Sequence, residues 1–289
     1  MAFGSIKNFI ETENFSISPE WSCFLVDNGS LRAEPTLHLR NVARELGGFL
    51  EVPVHPVSLL HSSKVDAGLL GGMSAQLLEP MVSQFLKFPE YQNVLVVPQF
   101  FGPSRALTDY LPERLDRLRK ERGEVEIRQA DCLLNLEDDS AETLAEVIKD
   151  RVLEVIDTNS KECQLPQVVL VDHGSALSGV NAVRKAVAVH LKEILSDGIH
   201  DLVDCSMESP DGAEVVENPL LSEVLPHLSP DYPVLLAMMF FAEGKHAGRG
   251  GDVERICKES GVQNWFRTET IGNHPLLIQL LAKRAWDAV

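Results

Sequence analysis

The chain has 289 residues, with 26 Lys plus Arg against 43 Asp plus Glu, a formal net charge of −17. At 44% hydrophobic and 24% charged it is too apolar for disorder, and at roughly 100–200 residues per domain it makes one large or two small domains whose core needs no disulfide or metal staple. The acidity excludes a nucleic-acid binder, which needs a basic face, and argues against docking on an anionic membrane surface.

Residues 1–16 alternate polar and apolar side chains and carry acids, which is not the pattern of a signal peptide. No apolar run approaches the ~20 residues that span a bilayer. The five cysteines (Cys23, Cys132, Cys163, Cys205, Cys257) are scattered and form no CxxC pair, so neither a zinc ribbon nor an iron–sulfur cluster is supported. The expectation is a reduced, cytoplasmic protein.

Short apolar runs mark strands at 23–26 (CFLV), 94–97 (VLVV), 168–171 (VVLV) and 234–237 (VLLA). Runs of this kind suit parallel strands buried on both faces. Helical patterns fill the intervals at 36–46, 74–88, 111–122, 141–156, 180–195, 251–260 and 275–286. Strand alternating with helix predicts an α/β fold with right-handed crossovers. Residues 68–73 (GLLGGM) lack dinucleotide-binding spacing and read as a flexible loop. The mixed charges of 113–122 read as a solvated helix face, and 137–140 (EDDS) as a loop and helix N-cap.

The order contains a repeat. FLVDNGS at 24–30 returns as VLVDHGS at 169–175, and VLVVPQFF at 94–101 returns as VLLAMMFF at 234–241. The offsets, 145 and 140 residues, nearly agree, so a whole unit is duplicated. Two similar lobes are predicted, 1–160 and 161–289, joined by a polar linker at 158–166 that a proline closes. The repeat is uneven. Asn28 of the first lobe stands opposite His173, and Ala106 opposite His246. Both histidines follow predicted strand ends, the edge where open α/β sheets bind ligands, and an imidazole there can ligate a metal or move a proton near neutral pH.

Three segments carry a resemblance: VVLVDHGS at 168–175 with Asn181, MFFAEGKHAGRGGDV at 239–253, and IGNHPLLIQLLAKR at 271–284. In this order they resemble the class II tetrapyrrole chelatases, whose members include the sirohydrochlorin cobalt- and ferrochelatases. The resemblance implies two chelatase-like (flavodoxin-like) lobes, each a small parallel sheet flanked by helices, with the tetrapyrrole held in the cleft between them. It implies insertion of Co²⁺, Ni²⁺ or Fe²⁺ into sirohydrochlorin or a related anionic macrocycle. The metal is then a substrate, and no ATP or organic cofactor is used. His173 and His246 match the family's two active-site histidines, which hold the ion and accept pyrrole protons. Glu208 falls where some members carry a third, carboxylate ligand. Gly174, Ser175 and Gly244 would let backbone approach the flat ring, and Lys245 and Arg249 would meet its carboxylates. A fused two-lobed chain works as a monomer or a homodimer, with a small-molecule partner and neither nucleic acid nor membrane.

The sequence also departs from the pattern. Ala176 follows HGS where the family often has Arg, and the first lobe lacks both histidines, so at most one site is expected. A non-catalytic tetrapyrrole or metal carrier built on a chelatase is the alternative. A hydrolytic triad from Asp172, His173 and Ser175 is not supported: near neighbours at a strand end project in different directions, and no GxSxG elbow exists. His274, before Pro275, reads as a helix cap. Of Phe100, Phe101, Phe240 and Phe241, at least half are expected in the core. A polycarboxylate substrate meets repulsion from a charge of −17, so the site must be locally basic. Lys245, Arg249, Arg184, Lys185 and Arg105 are the cations at hand.

Overall fold

The computed structural model describes residues 16–208 and 218–289. Residues 1–15, most of the segment tested above as a leader, lie outside the described residues. Eight described strands make two four-stranded parallel sheets. The first holds β1 (Trp21–Asp27), β2 (Val54–Ser58), β3 (Asn93–Pro98) and β4 (Glu126–Gln129) in the order β2-β1-β3-β4. The second holds β5 (Gln167–Asp172), β6 (Asp201–Ser206), β7 (Val234–Met238) and β8 (Trp265–Arg267) in the order β6-β5-β7-β8. The α/β class and the two-lobed architecture are as expected.

The four strands read from the sequence are the four interior ones. Buried on both faces, they are almost wholly apolar. The four that sequence reading misses are all edge strands: VHPVS, EIRQ, DLVDCS and WFR. An edge strand is covered less completely, so its sequence carries no continuous apolar run.

The helices are α1 (Ala33–Leu50), α2 (Leu78–Phe85), α3 (Leu111–Arg122), α4 (Ser140–Thr158), α5 (Ser178–Leu195), the single turn α6 (Leu221–Val224), α7 (Asp252–Ser260) and α8 (Pro275–Asp287). Two local expectations change. The predicted helix at 74–88 shrinks to α2. The segment 68–73 is an anchored turn rather than a loose loop, because Ala67–Leu70 forms a 3-10 turn and Arg40 donates to the carbonyls of Leu70 and Met73, both at 2.7 Å. At 137–140 the capping bond comes from Asp138, whose carboxylate accepts the Ser140 N–H at 3.0 Å.

Each sheet has one private face and one shared face. In the first lobe Phe24, Val26, Val94 and Val96 pack outward on α2 and α3. In the second, Val169, Val171, Leu236 and Met238 pack outward on α6 and α7. The opposite faces join one core: Leu25, Leu95 and Val97 with α1 on one side, Val168, Leu170 and Leu235 with α5 and α8 on the other. Helices are exchanged across the seam, α4 packing on α5 and α8 on α1. Phe101 and Phe241, equivalent residues after β3 and β7, stack on each other at 3.9 Å with planes 8° apart. Phe100 and Phe240 pack instead at the margins of the two outer clusters.

Backbone bonds repeat the same relation. Leu133 N–H donates to the Phe100 carbonyl as Ile271 does to Phe240. The carbonyls of Leu133 and Ile271 in turn accept arginines from the other lobe. Arg284 of α8 donates to Leu133 O at 3.0 and 3.1 Å, and Arg151 of α4 donates to Ile271 O at 3.2 Å. Arg284 also pairs with Asp138 at 2.7 Å. No helix among the described residues is long and apolar enough to cross a membrane.

Arg284 is 4% exposed. Replacing it with Met leaves Leu133 O and Asp138 without their cation inside the seam. An expected loss of about 3–5 kcal/mol follows, to be read from urea unfolding of R284M. An unchanged midpoint would show that the seam does not depend on this bond.

Candidate active site

His173 follows β5 directly, and His246 lies in the loop between β7 and α7. Their rings meet edge to face, with centroids 4.7 Å apart and planes 84° apart. Glu208 stands two residues beyond β6, and its Oε1 lies 3.2 Å from His173 Nε2. The two histidines and the glutamate, far apart in sequence, therefore share one patch on the C-terminal edge of the second sheet. The patch is open: His173 is 48% exposed and Glu208 53%, while His246 is 27% exposed.

His246 is oriented from behind. Its Nδ1 lies 2.8 Å from Asp252 Oδ2 at the start of α7. Burial alone would raise the Asp252 carboxyl, but hydrogen bonds from Arg255 and His246 outweigh it and hold the group below its ordinary value. With Nδ1–H directed at a carboxylate, Nε2 of His246 is left to bind a metal or a proton. The loop itself is pinned by Arg267 of β8, which donates to the Ala247 carbonyl and pairs with Glu243, both at 2.9 Å.

His173 is set differently. Its Nδ1 lies 3.2 Å from the Gly174 carbonyl. Assigning that nitrogen as the donor turns the Nε2 lone pair toward Glu208. In that tautomer the imidazole nitrogen and the carboxylate oxygen, 3.2 Å apart, form a pair of donor atoms open to a metal ion. Among the described residues, however, no group of three or more His, Cys, Asp and Glu side chains forms a cluster that holds a metal ion as it stands.

The remaining predicted site residues take varied places. Gly174 has φ +99°, and a Cβ there would lie 2.1 Å from the Glu208 carbonyl oxygen. The missing Cβ lets the β5 and β6 ends touch, and Glu208 N–H bonds His173 O. Ser175 accepts Leu177 N–H at 3.1 Å, and its carbonyl accepts Asn181. Gly244 abuts the first lobe, since a Cβ would meet Pro35 of α1 at 3.3 Å. Lys245 is exposed and 4.0 Å from Asp252, and Arg249 is exposed. Arg105 is exposed in the matching first-lobe loop. His274 caps α8, accepting Leu276 N–H at 3.3 Å.

Arg184 is not an available cation. It is fully buried, and its guanidinium is committed to Asp172, Asp204, Ser206 and Asn218. Sequence reading passed over this group. The available signal was an arginine on the apolar stripe of α5, which reads 184, 187, 188, 191 and 195 where α1 reads 39, 42, 43, 46 and 50. Asp252 was visible only as the acid that follows the His246 segment. A cavity of about 390 Å³ lies elsewhere, against Leu60, Tyr110, Arg114 and Arg117, and no second-lobe residue lines it.

No protein-family model matches the chain, and no curated protein matches it in sequence. Solved structures match it in fold. SirB from Bacillus subtilis with Fe³⁺ superposes with a TM-score of 0.65 and 15% identity, over 91% of this chain and 93% of that one. The sirohydrochlorin chelatase SirB from Bacillus subtilis subspecies spizizenii, in complex with cobalt, gives 0.65 and 15% over 92% and 93%. CbiX, the terminal enzyme for biosynthesis of siroheme in denitrifying bacteria, gives 0.60 and 14% over 93% and 99%. The chain thus has the class II chelatase fold over nearly its whole length.

The first lobe keeps Asp27 where the second has Asp172, but Leu39 stands where Arg184 does. Asp27 Oδ1 has no hydrogen-bond partner. Burial pushes the carboxyl up to about 6, against partly offsetting bonds from Ser58 and Gly29. A carboxyl raised in the folded state stabilises below its unfolded value and loses that stabilisation as pH climbs from about 4 to about 6. Asp27→Asn is expected to gain stability at pH 7, by up to about 3 kcal/mol, and little at pH 4. Chemical unfolding at both pH values measures it; an equal effect at both would remove the charge from the explanation.

Proposed function

We propose that this protein inserts a divalent metal ion, Co²⁺, Ni²⁺ or Fe²⁺, into sirohydrochlorin or a related anionic tetrapyrrole without ATP. The observation that carries the reading is the gathering of His173, His246 and Glu208 on one sheet edge. It is supported by the fold shared with SirB and CbiX.

Metal insertion releases two protons: the free macrocycle loses two pyrrole N–H hydrogens as the ion enters. Two acceptor pairs are present for them, His173 with Glu208 and His246 with Asp252. Each pairs an imidazole near the reacting edge with a carboxylate that stabilises the imidazolium once the proton arrives. Imidazole and carboxylate accept several first-row ions, so the donor set does not choose among them. The unclosed donor set suits an ion that must be passed on rather than kept. Gly244 against Pro35 brings the first lobe to the margin of the site, so the macrocycle would rest between the lobes.

Opposed effects of charge follow. The global −17 attracts the metal cation and repels a polycarboxylate, which leaves the exposed Lys245 and Arg249 to receive the macrocycle's acids.

Absorbance of sirohydrochlorin mixed with Co²⁺ tests the reading. The protein should raise the insertion rate above the spontaneous one, and His173→Ala or His246→Ala should lower the enzymatic rate at least about 10²-fold with the fold retained. Full activity in the double alanine variant would sink this mechanism, and a bound but unmetallated macrocycle would identify a carrier instead. Separately, Lys245→Glu or Arg249→Glu should weaken macrocycle binding about 3- to 10-fold while changing Co²⁺ binding less. The reverse ranking would count against these cations as the substrate contact.

A further inference from the structure

The buried guanidinium beneath the site joins three chain segments: the end of β5, the end of β6 and the chain at Asn218. Arg184 Nη1 donates to Asp172 at 3.0 Å and to Ser206 Oγ at 2.6 Å. Its Nε donates to Asp204 at 2.9 Å, and its Nη2 to Asn218. Asp172 immediately precedes His173. Ser206 lies two residues before Glu208, and Asn218 opens the described chain beyond it. Ser206 Oγ also donates to Asp172 at 2.8 Å, closing the group. One planar fork thus gathers a partner from the end of β5, two from β6 and one from the chain at Asn218.

Stability alone does not call for this arrangement. Burying two carboxylates and a guanidinium costs desolvation that good geometry at best returns. The first lobe shows the same layer built without it. Leu39 replaces Arg184 and Pro56 replaces Asp204, while Asp27 and Ser58 persist in place of Asp172 and Ser206. That lobe still forms its four strands in the same order. The residues that differ beside the missing fork are the chemical ones: Asn28 for His173 and Leu60 for Glu208. The fork is present where the histidine and the glutamate are present, and absent where they are absent.

We propose that Arg184 is a positioning residue, which holds His173 and Glu208 at ligand spacing by clamping the ends of β5 and β6 and the chain at Asn218. The inference rests on the reading of His173, His246 and Glu208 as the metal-handling site. Lysine at this position keeps the charge but loses the fork, since a point ammonium cannot serve Asp172, Asp204 and Asn218 in one plane.

Co²⁺ titration of the purified protein, followed by its visible d–d bands, reads the coordination directly. Arg184→Lys is expected to fold, to bind Co²⁺ about 10- to 100-fold more weakly, and to shift the spectrum toward that of Glu208→Gln. The double variant R184K/E208Q should bind no more weakly than the poorer single variant, because both changes remove one interaction. An unchanged Co²⁺ affinity and spectrum in a merely less stable R184K, or additive losses in the double variant, would overturn the proposal. If R184K does not fold, Asn218→Ala removes one partner at the half-exposed end and is read in the same way. Failure of the wild-type protein to bind Co²⁺ through His173 and His246 would instead overturn the functional reading, and this inference with it.

Discussion

Neither lobe buries its sheet alone. Each parallel sheet has helices of its own on the outer face, but the inner faces, with α1, α5 and α8, meet in one continuous core. The constraint is that of any small α/β layer: both sheet faces must be covered, and a four-stranded unit has too few helices of its own to do so. Exchange of α4 and α8 across the seam supplies the missing cover. Phe101 stacks on Phe241 where the equivalent ends of β3 and β7 face each other across the seam, their rings nearly parallel. The arginine bonds to Leu133 and Ile271 satisfy carbonyls that the same seam removes from water.

Within that repeated frame the two C-terminal edges differ in the side chains they present. The geometry is preserved: Gly29 and Gly174 both have positive φ, and each would clash with the neighbouring strand's loop if given a Cβ. The chemistry is not. One edge carries two imidazoles, a glutamate and a buried guanidinium, while the other carries Asn28, Leu60 and Leu39. Both lobes contribute to the shared core, whereas the two histidines and the glutamate lie on one edge alone. Asp27 shows the difference, a buried carboxyl whose second-lobe counterpart has a cation and which itself has none.

The net charge of −17 is therefore not a property of the site. Arg184, which sequence reading counted among the cations that offset it, is consumed inside the protein. The basic character available to a ligand comes down to exposed residues such as Lys245 and Arg249, both on the His246 loop. The same loop is held by Arg267 and by the His246–Asp252 bond, so charge and ligand geometry are set by one element.

The interior strands, seven of the eight helices, the internal repeat and the two histidines were all legible in the sequence. Full burial writes continuous apolar runs, helical periodicity writes itself over many residues, and a repeat needs only comparison of the chain with itself. The edge strands were not legible, because partly exposed strands of three to six residues carry no pattern that distinguishes them from loops. Nor was the site's supporting layer. Arg184, Asp204, Ser206 and Asn218 are separated by 12 to 34 residues from their partners, and a hydrogen bond across that distance leaves no local signature. The sequence by itself determined the interior strands, the internal repeat, and that His173 and His246 have no histidine counterpart in the first lobe. Only the tertiary structure decided that His173, His246 and Glu208 stand together, and that a buried arginine and Asp252 stand behind them, since proximity follows from how strands order in a sheet and not from their order in the chain.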